Sequence, residues 1–246
     1  MPEKASELDA WKPGDLSKMF ERIVADYLNV NIISQPSTIE AEDGPWVLTI
    51  DDFLSDEDCA HLIAWGHRLG YERSPNDDGT DVNSVNEGRT SSHTWCEMQC
   101  HDDPKTMAIL QRIEALTGIS DLYSEDLQLL RYEPGQHYED HHDYIDYELH
   151  RPQGVRILTV FMYLNDVEAG GGTKFTRLGT DGITVTPKKG SVLIWPSVLN
   201  DDPHSWDART HHEALTLGAG MKFGANAWFH MRDFKTPMHG DCHFFY

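Results

Sequence analysis

The sequence predicts an α+β fold in which helices come first and a β-barrel or β-sandwich follows. Apolar residues recur at helical spacing in three segments before residue 118. After residue 125 the pattern changes to short β-type runs separated by turn residues. Since 246 residues can bury one sizeable core, we expect one main domain with an extension.

The N-terminal part predicts one helix and a linker. Residues 15–29 have the apolar spacing of an amphipathic helix, with Asp15 available as its N-cap. Residues 34–44 are rich in Ser, Pro and acidic residues, which is typical of a linker. A short strand is expected at residues 46–50.

Two more helices are marked by their capping residues. Ser55 and Asp58 form a capping-box pattern that begins a helix ending near Leu69. Asp103, followed by a proline, begins another, and Gly118 ends it. Between them, the polar residues 74–88 form a connection of unusual length, and such loops are either disordered or functional lids.

The later runs predict the strands of the barrel. They lie at residues 127–132, 155–164, 183–186, 191–195 and 222–230.

These elements divide the chain into two parts. We expect residues 1–44 to form a helical extension and linker, and residues 45–246 to form the main domain. The strand runs place the β-barrel core of that domain at about residues 125–231.

Composition and charge exclude some partners. With 41 acidic residues against 20 Lys and Arg, the formal charge of −21 repels phosphate backbones and anionic lipid headgroups, so neither nucleic acid nor a membrane surface is expected as a partner. No apolar run reaches the roughly 20 residues that span a bilayer, and residues 1–15 show no secretion signal. The four cysteines lack paired metal-ligand spacing, and they do not indicate the cellular compartment. The sequence does not indicate the oligomeric state either.

A His-x-Asp pattern at His141 and Asp143 is the first chemical signal. Residues two apart in an extended segment point to the same side, so both side chains can face one metal ion while His142 faces away. A histidine from the last third of the chain would complete a facial triad with open positions, which suits Fe(II) oxygenases, whereas a structural zinc site is closed. The candidates for this third ligand are His204, His211, His212 and His230.

Four motifs carry a resemblance to a known family. The first motif is LQLLRYEPGQHYEDHHDY at residues 127–144. The second covers residues 156–175 and ends with GGGTKF. The third is PKKGSVLIW at 187–195, and the fourth is His212 followed by KFGANAW at 222–228. In this order they resemble the prolyl 4-hydroxylase family of Fe(II)/2-oxoglutarate-dependent dioxygenases. The resemblance extends from about Pro45 to Met231 and implies a double-stranded β-helix (jelly-roll) core.

The resemblance also implies roles for individual residues. His141, Asp143 and His212 match the iron ligands, and His212 is preferred to His211 because the family's lysine follows ten positions later, at Lys222. That lysine would bind the far carboxylate of 2-oxoglutarate, which cannot be buried without a cation. Fe(II), 2-oxoglutarate, O₂ and ascorbate are the implied cofactors.

Other candidates border the site. Tyr163, Thr159 and Tyr132 are expected either to contact the co-substrate or to pack in the core. We expect Tyr138, Arg89 and Trp206 near the mouth as contacts to substrate.

The implied reaction is hydroxylation of prolyl residues at the 4-position in a peptide or protein, with release of succinate and CO₂. The same chemistry on a free amino acid or small molecule is an alternative, as is a non-catalytic cupin-like binding module. The chain departs from the family pattern at Asp140 and His142, where proline and an aromatic residue are frequent, which puts the tuning of the site in doubt but not its ligands.

Overall fold

The predicted strands form antiparallel sheets in the computed structural model, which describes residues 9–39, 43–75 and 85–236. The helices precede most of the strands, as the α+β prediction requires. Residues 76–84, the central part of the long polar connection, lie outside the described residues, and so do residues 237–246 at the C-terminus.

Three α-helices are present among the described residues: α1 (Asp15–Asp26), α2 (Asp56–Leu69) and α3 (Pro104–Thr117). The capping box of Ser55 and the αL glycine that ends α3 are as predicted. The prediction of Asp15 as N-cap of α1 is wrong, because Gly14 occupies that position with φ of 88°. Helix α1 ends three residues before the expected boundary and buries Leu16, Met19, Phe20 and Ile23.

The larger sheet has eight strands in the order β1-β2-β11-β7-β14-β5-β4-β3, and neighbouring strands are antiparallel. Its strands are β1 (Val30–Ser34), β2 (Val47–Ile50), β3 (Glu72–Arg73), β4 (Ser92–Cys96), β5 (Leu127–Tyr132), β7 (Arg156–Tyr163), β11 (Val192–Pro196) and β14 (Lys222–His230).

The smaller sheet has four strands in the order β10-β9-β12-β6. Its strands are β6 (Tyr138–His141), β9 (Thr173–Phe175), β10 (Ile183–Val185) and β12 (His212–Ala214). Two short strands, β8 (Ala169–Gly170) and β13 (Leu217–Ala219), pair with each other.

Alternation along β7 assigns its side chains to two buried layers. Leu158, Val160 and Met162 belong to the apolar cluster that contains the buried residues of the three helices. Phe161 and Tyr163 belong to a second cluster that also contains Phe175 of the smaller sheet. The second cluster therefore lies between the two sheets.

The structure also gives the state of three cysteines and tests for membrane-spanning helices. Cys96 and Cys100 form a disulfide, and Cys59 is a buried free cysteine. Among the described residues no helix has the length and apolar character needed to cross a membrane.

Candidate active site

His141, Asp143 and His212 converge although two of them are 71 positions apart in the chain. Antiparallel pairing of β6 with β12 places His212 opposite His141, and Asp143 lies two residues beyond the end of β6. One donor atom of each side chain lies within 4.8 Å of the others, and His212 Nε2 is 3.8 Å from Asp143 Oδ2. His211 is not part of this group, since its Nδ1 lies 2.9 Å from Asp140 Oδ2.

Backbone carbonyls fix the orientation of both imidazoles. His141 Nδ1 lies 2.7 Å from the carbonyl of Glu139, and His212 Nδ1 lies 2.9 Å from the carbonyl of Thr210. Because a carbonyl can only accept, each Nδ1 carries the proton and donates it. Each Nε2 is then left with a lone pair, which is the tautomer a metal ion requires.

The carboxylate of Asp143 is held in its charged form. Burial disfavours the charge, but His212, His141 and the hydroxyl of Thr159 together outweigh it and lower the pKa of Asp143 to about 2. Thr159 Oγ1 donates to Asp143 Oδ2 over 2.6 Å. Burial, with the neighbouring His212 next in importance, lowers the pKa of His141 well below its ordinary value. The cluster thus offers two imidazole nitrogens and one carboxylate oxygen, a donor set that suits Fe(II).

Lys222 lines the same cavity as these three residues and is 1% exposed. Its Nζ donates to the carbonyl of Gly171 over 2.6 Å and lies 5.1–5.7 Å from the ring centres of Tyr132, Phe161 and Tyr163. Burial alone lowers the pKa of Lys222 to about 7. No carboxylate of the described residues pairs with it, so the amino group of Lys222 has no anionic partner.

Of the six other predicted site residues, three line the cavity. Arg89, Tyr132 and Tyr138 line the cavity. The ring of Tyr138 stacks on His141 at 3.6 Å, and the guanidinium of Arg89 lies 4.7 Å from the centre of the Tyr138 ring.

Three predicted residues are not among those that line the cavity. The hydroxyl of Tyr163 donates to Thr173, and that of Thr159 is directed at Asp143. Trp206 is 44% exposed, and its ring contacts the rings of His142 and His211.

Some lining residues were missed from the sequence. Asn226 and Trp228 line the cavity, and both lie an even number of positions from Lys222 on β14. Strand alternation from Lys222 therefore contained the signal that could have identified them. Trp228 Nε1 is buried without a hydrogen-bond partner, and the guanidinium of Arg156 lies 3.8 Å from the centre of its ring.

Comparison with known proteins shows the family to which the chain is similar. Residues 127–230 match the family model described as the 2OG-Fe(II) oxygenase superfamily. The chain is 31% identical over 232 residues to prolyl 4-hydroxylase subunit alpha-2 of Gallus gallus, covering 92% of this chain and 42% of that protein. It is 32% identical over 209 residues to prolyl 4-hydroxylase 5 of Arabidopsis thaliana, covering 78% and 70% respectively.

A solved structure is similar over much of its length. The viral collagen prolyl hydroxylase of Paramecium Bursaria Chlorella virus-1, in complex with 2-oxoglutarate, has a TM-score of 0.59 and 27% identity. The match covers 76% of this chain and 97% of that one. The chain therefore belongs to the prolyl 4-hydroxylase family of 2OG-Fe(II) oxygenases.

Proposed function

We propose that this protein is an Fe(II)- and 2-oxoglutarate-dependent dioxygenase that hydroxylates prolyl residues at the 4-position in a peptide or protein and releases succinate and CO₂. The observation that carries this proposal is the shared cavity of the His-Asp-His cluster and the unpaired cation of Lys222. A metal site alone fits many proteins, but a buried lysine beside it that has no carboxylate partner also favours an anionic ligand.

His141, Asp143 and His212 would hold the iron through two Nε2 atoms and one carboxylate. When bound, the iron supplies the activation of O₂ that is coupled to oxidative decarboxylation of 2-oxoglutarate. Thr159 keeps one oxygen of Asp143 in a fixed position through its hydrogen bond.

Lys222 would bind the far carboxylate of 2-oxoglutarate. A charge-assisted hydrogen bond in a water-poor cavity is stronger than one in solvent, and the three aromatic rings around Nζ exclude water. We propose that Tyr132 borders the co-substrate, and that Tyr163 acts there through Thr173, whose side chain lines the cavity.

The substrate side of the cavity would be formed by Tyr138 and Arg89. The buried Arg89 donates to Gln128 Oε1 over 3.0 Å, so its guanidinium is held in place above the Tyr138 ring. Trp206, exposed beside His142, is proposed as a further contact for a peptide. The names of the relatives favour a polypeptide substrate over a free amino acid.

The two antiparallel sheets support the proposal that the core, about residues 125–231, is a double-stranded β-helix (jelly roll). The division into an extension (1–44) and a domain (45–246) and the participation of ascorbate are parts of the same proposal.

The deciding experiment is mass spectrometry of proline-rich peptides and, in parallel, of free proline after incubation with the protein, Fe(II), 2-oxoglutarate and ascorbate. We expect a gain of one oxygen on prolyl residues of a peptide, together with one succinate per oxygen added. Oxygen gained by free proline alone would favour the small-molecule alternative. Bound iron without any production of succinate would favour the cupin-like binding module.

A further inference from the structure

The residues that alternate with the proposed metal ligands face away from the cavity. They are Asp140 and His142, at the two positions where the sequence departs from the family pattern. The side chains of both contact the 207–211 turn, which leads directly into His212.

His142 has partners on both ring nitrogens. The backbone N–H of Tyr144 donates to His142 Nδ1 over 3.0 Å, so Nδ1 has no proton and Nε2 carries it. Nε2 lies 2.9 Å from both the carbonyl of Asp207 and the hydroxyl oxygen of Thr210, and donates to them. The ring is therefore fixed in one neutral tautomer between two segments of the chain.

Thr210 connects this bond to the metal cluster. Its side chain accepts from His142, while its backbone carbonyl accepts from His212 Nδ1 over 2.9 Å. His142 thus holds the residue that orients His212.

Asp140 makes a second connection of the same kind. Its Oδ2 accepts from His211 Nδ1 over 2.9 Å, and its other oxygen accepts from Thr176. His211 precedes His212 directly, so Asp140 and His142 are bonded to the residues one and two positions before the third ligand.

Side-chain bonds are needed here because the backbone pairing is short. β12 pairs with β6 at only two positions, His212 with His141 and Ala214 with Tyr138, and the register shifts between them. A ladder this short and irregular does not by itself fix the spacing of the ligands.

We propose that His142, assisted by Asp140, is a positioning residue that sets the distance between His212 and the His141–Asp143 pair before any metal binds. This inference rests on the proposed metal site and adds that the spacing of its ligands depends on a histidine outside the cavity.

The test is an anaerobic titration with Fe(II) alone. The His142→Phe variant keeps an aromatic ring against Trp206 but removes all three hydrogen bonds of the His142 ring. We expect its Fe(II) affinity to fall by about tenfold to a hundredfold, the range typical of outer partners of metal ligands. The His142→Gln variant, whose amide can donate in place of Nε2, is expected to recover most of this loss, which a role in ring packing would not predict.

The matched control is His61→Phe. His61 Nε2 also bonds a threonine hydroxyl, that of Thr106 at 3.1 Å, but in the helical region, so Fe(II) affinity should stay unchanged. The Thr210→Val variant should reduce affinity in the same direction as His142→Phe, and the double variant should lose less than the sum of the two.

The outcomes separate two failures. If the wild-type protein binds no Fe(II), the proposed function is wrong. If it binds, and His142→Phe binds equally well, the positioning role is wrong, and additive losses with Thr210→Val would also overturn it. Circular dichroism identifies a variant that does not fold; should His142→Phe fail to fold, the Thr210→Val titration decides.

Discussion

The metal cluster and Lys222 line one cavity but differ in how their polar groups are satisfied. Each residue of the cluster has a hydrogen-bond partner outside the cluster. The partner is Glu139 for His141, Thr210 for His212 and Thr159 for Asp143. Among the residues that the structure describes, Lys222 has one hydrogen-bond partner, the carbonyl of Gly171. The cluster is thus fully oriented without a ligand, whereas the lysine is stabilised poorly until an anion arrives.

A partly buried cation elsewhere in the molecule, Arg156, is paired with a carboxylate. The guanidinium of Arg156 donates to Glu125 through both Nε and Nη2, and Glu125 also contacts His230. Burial opposes the charge of Arg156, but Glu125 outweighs it and raises the pKa of the guanidinium. The absence of such a carboxylate at Lys222, among the residues described, therefore points to a ligand rather than to a general property of the core.

The largest expected effect is on the metal cluster. His141→Ala removes a ligand, so we expect Fe(II) affinity to fall by more than the roughly hundredfold that marks loss of an outer partner. Anaerobic Fe(II) titration measures it. His137→Ala, which alters a nearby histidine bonded to Thr90, should leave affinity unchanged. Retained Fe(II) binding in His141→Ala would remove His141 from the site.

Lys222→Met should weaken binding of 2-oxoglutarate rather than of Fe(II). Fe(II) affinity is expected to persist, while 2-oxoglutarate affinity falls by about tenfold to a hundredfold, the value of a hydrogen bond to a charged group. Titration of the Fe(II)-loaded protein with 2-oxoglutarate gives the number, with the exposed Lys188→Met as control. Equal loss of Fe(II) in Lys222→Met and His141→Ala would show that the two parts of the cavity are not distinct.

Over one pH unit, the smallest expected effect is a pH dependence of 2-oxoglutarate affinity and of stability. Since the pKa of Lys222 is about 7 in the ligand-free protein, the charged form dominates below pH 7, and 2-oxoglutarate affinity should fall by up to about tenfold per pH unit above it. The unfolded chain, with a lysine pKa of about 10.4, binds the extra proton between pH 7 and 10.4, so this group makes stability rise with pH in that window. Titrations and urea unfolding from pH 6 to 9 measure both slopes. A pH profile of Lys222→Met identical to that of the wild type would contradict this assignment.

Local patterns predicted much of the fold. Strands β5 and β14 have the predicted bounds because their apolar runs are bordered by clear turn residues, and the Ser55 capping box is read from residues three apart. Strand β1 was missed, since Val-Asn-Ile-Ile-Ser has no clean alternation and its pairing with β2 depends on residues 13 or more positions away.

The site was less accessible to sequence reasoning. The family resemblance favoured His212 over His211 as the third ligand, and the structure groups His212 with His141 and Asp143. The partners of Thr159 and His142 could not be read from the sequence, because each lies in another segment that only the folded chain brings near.

Strand β1 also has a practical consequence for shortening the polypeptide. It covers one edge of β2, whose four residues Val47–Ile50 are all buried. A polypeptide started at Pro45 would leave this apolar edge without its neighbour, and exposed edges of that kind recruit strands from other molecules. Truncation for crystallisation or expression is therefore best made before residue 15, where both helix α1 and the protective pairing are kept.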